Sequence, residues 1–229
     1  MFDHKVTDVF FDLDHTLWDF ERNSALTFAK ILESNRVKVD LNGFLEIYSP
    51  INFEMWKLYR ENGITQSELR YQRLRRTFDI LKASVTDEII DALSHEYIEH
   101  LPSFVHLLPN TVEVLEYLFP KYRLHIITNG FEEVQERKLK GSNIHHYFDQ
   151  IINSEMAGVK KPDPYIFELA LSRAKVEPRH TLMVGDNLEA DILGAKAMGM
   201  QVVHFNSNNE ANHDVCKTIY DLIEIKSIL

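Results

Sequence analysis

The stretch from Val6 to Leu17 restricts the possible folds more than any other part of the chain. Val6, Val9, Phe10 and Phe11 make a short apolar run rich in β-branched and aromatic residues, and the run stops at two carboxylates, Asp12 and Asp14. A strand buried on both faces reads as such an unbroken run, so the pattern predicts an interior strand of a parallel sheet with acids at its C-terminal lip. In open α/β sheets ligands bind in the crevice beyond the carboxyl ends of the strands, where Asp12 and Asp14 would stand. Their i, i+2 spacing suggests a division of labour: one carboxylate faces the crevice as nucleophile and metal ligand, and the other handles protons.

What surrounds that strand follows from the remaining periodicities. Nothing between 18 and 105 reads as strand. Ala25, Phe28, Ala29 and Leu32 recur at i, i+3, i+4, i+7, and Phe44, Ile47, Tyr48 and Ile51 repeat the spacing, as amphipathic helices do. Asn62-Gly63 breaks the run, Thr65-Gln66-Ser67-Glu68 has the form of a capping box, and Thr86 is placed to cap a fourth helix. From Pro109 strands and helices alternate. The expected strands are 124–128, ended by Asn129-Gly130, then 148–152, then 181–184, turning at Gly185-Asp186, and 201–205. Helices are expected over 131–140, after Asp163-Pro164, over 189–198, and as a closing amphipathic segment over 218–229; the polar stretch 206–214 reads as a surface loop. The fold class is therefore α/β, a Rossmann-like parallel sheet. Residues 1–17 and 106–229 form the core domain, and 18–105 form a helical domain inserted after the first strand. Right-handed crossovers put all strand C-termini on one edge, so Asp12, Asp14, Thr128, Lys161, Asp186 and Asp191 can converge.

Carboxylates gathered in one crevice repel one another unless something positive lies among them. Mg²⁺ is the natural partner: it takes oxygen ligands, one or two carboxylates, and completes its shell with waters and substrate phosphate. Asp12 and Asp186 are assigned as side-chain ligands and the backbone carbonyl of Asp14 as a third. Asp191, five residues past Asp186, is placed to orient a metal-bound water or a lysine. Phosphoryl transfer needs donors and positive charge around the equatorial oxygens. Thr128 offers a hydroxyl, the Asn129-Gly130 turn offers backbone N–H groups, and Lys161 offers a fixed charge. A carboxylate such as Asp12 can then attack phosphorus, with Asp14 protonating the leaving group.

Composition excludes other partners. Among 229 residues, 25 Lys and Arg stand against 35 Asp and Glu, a formal charge of −10, and such a surface repels nucleic acids and anionic lipids. The single cysteine, Cys216, excludes an intrachain disulfide and a Cys-rich zinc site. The Met-Phe-Asp-His-Lys start has no leader pattern, and no apolar run reaches the ~18 residues of a membrane span. A cytoplasmic protein, monomer or homodimer, acting on a small phosphorylated metabolite is the expectation.

Asp12-Leu13-Asp14-His15-Thr16, Ile127-Thr128-Asn129-Gly130, Lys161-Pro162-Asp163-Pro164, and Gly185-Asp186 with Asp191 resemble, in order, the four motifs of the haloacid-dehalogenase-like (HAD) hydrolase superfamily. The helical insertion is similar to that family's C1 cap. The resemblance implies strand order 3-2-1-4-5, Asp12 as nucleophile, Asp14 as acid and base, Thr128 and Lys161 as phosphate binders, and Mg²⁺ as cofactor. It also selects Lys161 over the adjacent Lys160. His15 departs from the pattern, since many relatives have glycine there. Within the superfamily the chain most resembles the pyrimidine 5′-nucleotidase, or house-cleaning, subgroup, through Trp18-Asp19-Phe20, the Phe131 that follows Gly130, and Gly63-Ile64 ahead of Leu69-Arg70. That implies a phosphatase acting on a nucleoside 5′-monophosphate, with Trp18, Phe20, Trp56, Tyr59 and Arg70 as candidate substrate contacts. The alternatives are a sugar phosphatase, a β-phosphoglucomutase-like mutase, and a non-enzymatic phosphate-binding protein.

Overall fold

The computed structural model describes residues 4–208 and 210–229. Residues 1–3, part of the start without a leader pattern, and Asn209, inside the polar 206–214 stretch, lie outside the described residues. The chain divides into two units: residues up to Phe20 together with Val105–Leu229, and Glu21–Phe104. Trp18, Asp19 and Phe20 thus go with the sheet rather than with the inserted helices.

The helical unit contains α1 (Phe20–Ser34, its first residue still in the sheet unit), α2 (Leu41–Arg60), α3 (Gln66–Ile80) and α4 (Asp87–His100). Of the two start signals read from the sequence, the Thr65 box forms and the Thr86 cap does not; Asp40 adds a cap at the head of α2. Asp40 accepts from the Gly43 N–H at 2.7 Å. At the head of α3 the Glu68 N–H donates to Thr65 Oγ1 at 3.2 Å and the Thr65 N–H to Glu68 Oε2 at 2.8 Å, a reciprocal capping box. Thr86 precedes α4 without a side-chain cap bond. Phe28, fully buried, meets Phe44, Tyr48 and Tyr97 at centroid distances of 4.8, 4.6 and 4.7 Å, which makes an aromatic centre for this unit.

In the other unit six parallel strands line up in the order β3-β2-β1-β4-β5-β6: β1 (Asp8–Phe11), β2 (Arg123–Thr128), β3 (Phe148–Asn153), β4 (Thr181–Gly185), β5 (Gln201–Phe205) and β6 (Lys217–Ile219). The helices are α5 (Thr111–Leu118), α6 (Glu132–Gly141), a short α7 (Ser154–Ala157), α8 (Pro164–Ala174) and α9 (Gly194–Ala197). Every residue of β1 is buried, as a central strand covered on both faces must be. Phe10, Ile127, Ile152 and Met183 lie in one apolar cluster with Ile166, Phe167 and Ala170 of α8.

Two stretches differ from the sequence reading. The closing segment over 218–229 is not one amphipathic helix: Lys217–Ile219 pairs with β5 as a sixth strand, and a 3₁₀ helix, Leu222–Ser227, follows, opened by an Asp221–Glu224 capping box. A three-residue strand is too short for a period to register, so only an edge waiting to be paired could reveal it. The helix expected over 189–198 is a π-helical turn, Leu188–Leu193, running into α9.

Candidate active site

The register of the sheet builds the site. Phe11 pairs with Ile126 on one side and Val184 on the other, and the Asp12 N–H donates to the Val184 carbonyl at 2.9 Å. Asp12 therefore leaves the sheet level with the ends of β2 and β4. Past β4 the chain turns at Gly185, and the π-helical turn swings Asp191 back toward the strand ends. A Cβ on Gly185 would overlap the Asp191 side chain, so the close approach requires glycine. The Asn187 N–H donates to Asp191 Oδ2 at 3.0 Å and fixes it.

Lys161 joins the two carboxylates. Its buried ammonium donates to Asp12 Oδ1 at 2.5 Å and the Ile127 carbonyl at 2.6 Å, and it lies 2.6 Å from Asp191 Oδ1. The ammonium is thus engaged on three sides, by two hydrogen bonds and one ion pair. Asn129 sets the lysine from behind: its Nδ2 donates to the Lys161 carbonyl at 3.0 Å, and its Oδ1 accepts from the Lys161 N–H at 2.7 Å. The Asn129 side chain is therefore tied to the Lys161 backbone. Lys160 is half-buried, and burial pushes its ammonium below the ordinary lysine value.

Oxygens of Asp12, Asp186 and Asp191 lie within 4.8 Å of one another, all three residues buried. Burial pushes Asp12 well above the usual carboxylate range; the Lys161 charge pulls it back and the Asp191 and Asp186 charges push it further up. Asp186 is pushed up to about 8, first by burial and then by the Asp191 charge, against the pull of Lys161 and a hydrogen bond from Thr16. Burial alone would lower Lys161, but Asp12 and Asp191 hold it above its ordinary value. One lysine does not balance three buried carboxylates. An all-oxygen donor set with surplus negative charge fits a hard divalent cation.

Asp186 is anchored from several directions. Thr16 Oγ1 donates to its Oδ1 at 3.2 Å, Asn208 Nδ2 to its Oδ2 at 2.7 Å, and His204 Nε2 to its backbone carbonyl at 2.8 Å. His15 has φ +63°, the left-handed region that suits glycine. Ser207 Oγ holds the His15 carbonyl at 2.8 Å and the ring tilts against Phe20 at 4.8 Å.

Asp14, one-fifth exposed, faces α6. Lys138 Nζ stands 2.6 Å from its Oδ1, and Gln135 Nε2 donates to its Oδ2 at 3.0 Å. The same amide donates to Thr128 Oγ1 at 2.7 Å, and the Gly130 N–H donates there at 3.1 Å. Both lone pairs of the Thr128 hydroxyl are taken, which leaves its own proton as the group it can donate. The sequence reading missed Gln135, Lys138, Asn208 and His204. A signal for two of them exists: Gln135 and Lys138 share the buried face of α6 with Val134 and Leu139, polar residues where helical periodicity calls for apolar ones.

The expected substrate contacts divide between the two units. Trp18 and Phe20 are buried in the sheet unit, and the Lys138 ammonium lies 4.3 Å and 5.5 Å from their ring centroids. The structure thus gives both rings a partner from within the protein, where the sequence reading set them toward a ligand. Trp56 and Tyr59 on α2, edge to face at 5.7 Å, and Arg70 on α3 are half-buried in the helical unit.

Residues 9–205 match the haloacid dehalogenase-like hydrolase family, and the chain belongs to that family. Pyrimidine 5′-nucleotidase PynA of Streptococcus pneumoniae is 28% identical over 221 residues, 96% of this chain and 92% of that one. A glyceraldehyde 3-phosphate phosphatase of Methanothermobacter thermautotrophicus is 34% identical over 235 residues, 96% of this chain and 98% of that one. Among solved structures, the HAD-hydrolase YfnB of Bacillus subtilis, bound to magnesium, superposes with a TM-score of 0.89 at 25% identity, covering 98% of this chain and 99% of that one. The sheet order of that family is the one observed, extended by β6. No helix among the described residues is long and apolar enough to cross a membrane.

Proposed function

We propose that this chain is a Mg²⁺-dependent phosphomonoesterase that works through an aspartyl-phosphate on Asp12, with a nucleoside 5′-monophosphate as its first-choice substrate. The observation that carries the reading is the buried Asp12–Lys161–Asp191 arrangement at the strand ends, with Asp14 two residues further on. Asp12 attacks phosphorus; the bond to the leaving oxygen breaks with its electron pair going to that oxygen, which takes a proton from Asp14. Water then attacks the acyl-phosphate, Asp14 takes up the proton, and inorganic phosphate leaves. The Thr128 hydroxyl proton and the Asn129 backbone N–H bind the equatorial oxygens, and Lys161 keeps Asp12 aimed and partly neutralised. Asp12 and Asp186, with the Asp14 backbone carbonyl, would hold Mg²⁺, and Asp191 supports the site through Lys161. The ion, when bound, supplies positive charge against the substrate's phosphate oxygens.

The nucleotidase relative supports a nucleoside monophosphate. The 34% identical triose-phosphate phosphatase supports a sugar phosphate as the second reading. The test is phosphate release from a panel of nucleoside monophosphates and sugar phosphates, with Mg²⁺ and with EDTA, for wild type and Asp12→Asn. Metal-dependent turnover of pyrimidine monophosphates, lost in the variant, is expected. Turnover confined to sugar phosphates moves the assignment to the second reading, and an active Asp12→Asn removes the aspartyl-phosphate.

A further inference from the structure

Two side chains of α6 stand against Asp14, and the scheme above gives neither a task. Lys138 is 2% exposed, and lysine is seldom buried so completely unless paired. Its partner is Asp14 Oδ1 at 2.6 Å, and its ammonium also lies over the Trp18 ring at 4.3 Å and near the Phe20 ring at 5.5 Å. Gln135, three residues earlier on the same helical face, donates to Asp14 Oδ2 at 3.0 Å and to Thr128 Oγ1 at 2.7 Å. A Cβ on Gly130 would overlap this amide, so the turn after β2 is shaped to admit it. Both Asp14 oxygens are thus held by one helix that also holds Thr128.

The charge balance gives the arrangement a purpose. When Asp14 passes its proton to the leaving oxygen it becomes a carboxylate, two residues along the chain from Asp12. Lys161 is already engaged by Asp12, Asp191 and the Ile127 carbonyl. Among the described residues, Lys138 is the cation in contact with Asp14.

We propose that Lys138 is a positioning residue for Asp14: with Gln135 it fixes the carboxylate's direction, and it balances the charge left on Asp14 after the proton has gone to the leaving group. This rests on the reading of Asp14 as proton donor given above. In the first half-reaction the P–O bond breaks, the electron pair goes to the leaving oxygen, the Asp14 proton follows, and the new carboxylate stays paired with Lys138. In the second half, water's proton returns to Asp14.

The test uses two esters that differ in their need for that proton. An alkyl phosphate, the best substrate of the panel above, leaves as an alkoxide that must be protonated; p-nitrophenyl phosphate leaves as a stable phenolate. Pre-steady-state first turnover is measured for wild type, Asp14→Asn, Lys138→Met, Lys138→Arg and the Lys138→Met/Asp14→Asn double variant. Lys138→Met is expected to slow the alkyl ester about a hundredfold, as loss of general acid catalysis does, while changing the p-nitrophenol burst less than about threefold. Lys138→Arg restores most of the alkyl rate, and Lys138→Met adds nothing in the Asp14→Asn background, because groups acting as one unit are non-additive. Equal slowing of both esters, additive losses in the double variant, or an unchanged alkyl rate in Lys138→Met would each overturn the proposal. An unimpaired Asp14→Asn, or a wild type without turnover, instead removes the underlying reading of Asp14. Should Lys138→Met fail to fold, Lys138→Gln removes the same charge and is read by the same criteria.

Discussion

Magnesium should stabilise this protein in a strongly pH-dependent way, and the size of the effect can be worked from Asp186. Burial first, and the Asp191 charge next, push its carboxyl up to about 8 from an ordinary 3.8, so the folded metal-free chain holds a proton that the unfolded chain releases. The native state binds more protons between those values, so this contribution to stability is complete below 3.8 and is lost as the pH rises through about 8. A metal displaces that proton. Counting the Asp186 proton alone, about half the molecules are ionised there at pH 8 and about one in a hundred at pH 6, so the apparent affinity falls roughly fiftyfold. Mg²⁺ at about a hundred times its dissociation constant at pH 8 contributes about 2.7 kcal/mol, and the same concentration at pH 6 contributes about 0.6 kcal/mol. At about 2–4 °C per kcal/mol for a chain of this size, the melting temperature should rise by about 5–10 °C at pH 8 and by about 2 °C at pH 6. The assay is thermal unfolding with Mg²⁺ or EDTA at the two pH values, for wild type and Asp186→Asn. An equal Mg²⁺ shift at both pH values, or an undiminished shift in Asp186→Asn, would refute the reasoning.

Gly185→Ala should be inactive and destabilised by about 1–3 kcal/mol, because the new methyl overlaps Asp191 and forces it off Lys161; phosphate release and urea unfolding test this. Phe28→Ala empties the aromatic centre of the helical unit and should cost about 3–5 kcal/mol, read from the denaturation midpoint. Thr65→Ala removes the capping box of α3 and should cost about 1 kcal/mol, lowering the melting temperature without changing the Mg²⁺ shift.

Legibility of the fold and site followed the range of the interactions involved. Val9-Phe10-Phe11 and Leu124–Thr128 declared themselves as buried strands through composition alone, and the Thr65 box announced α3, because those signals lie within a few residues. Lys217–Ile219 did not, since its strand character comes from the β5 edge it pairs with. The turn Leu188–Leu193 looked like ordinary helix; its π form accompanies the return of Asp191 to Lys161, a contact with a residue thirty positions away.

Local pattern by itself determined the alternation of strands and helices, the inserted helical unit, and the carboxylates, threonine and lysine gathered at the strand ends. Tertiary structure decided what each buried charge faces: Lys161 between Asp12 and Asp191, Asn129 on the lysine's backbone, Lys138 on Asp14 with Trp18 and Phe20 beneath it. Apolar periodicity is repeated every few residues along one segment and can be read there. The partner of a buried charge is a single residue on another element, set by sheet register and helix rotation, and no neighbouring residue encodes it.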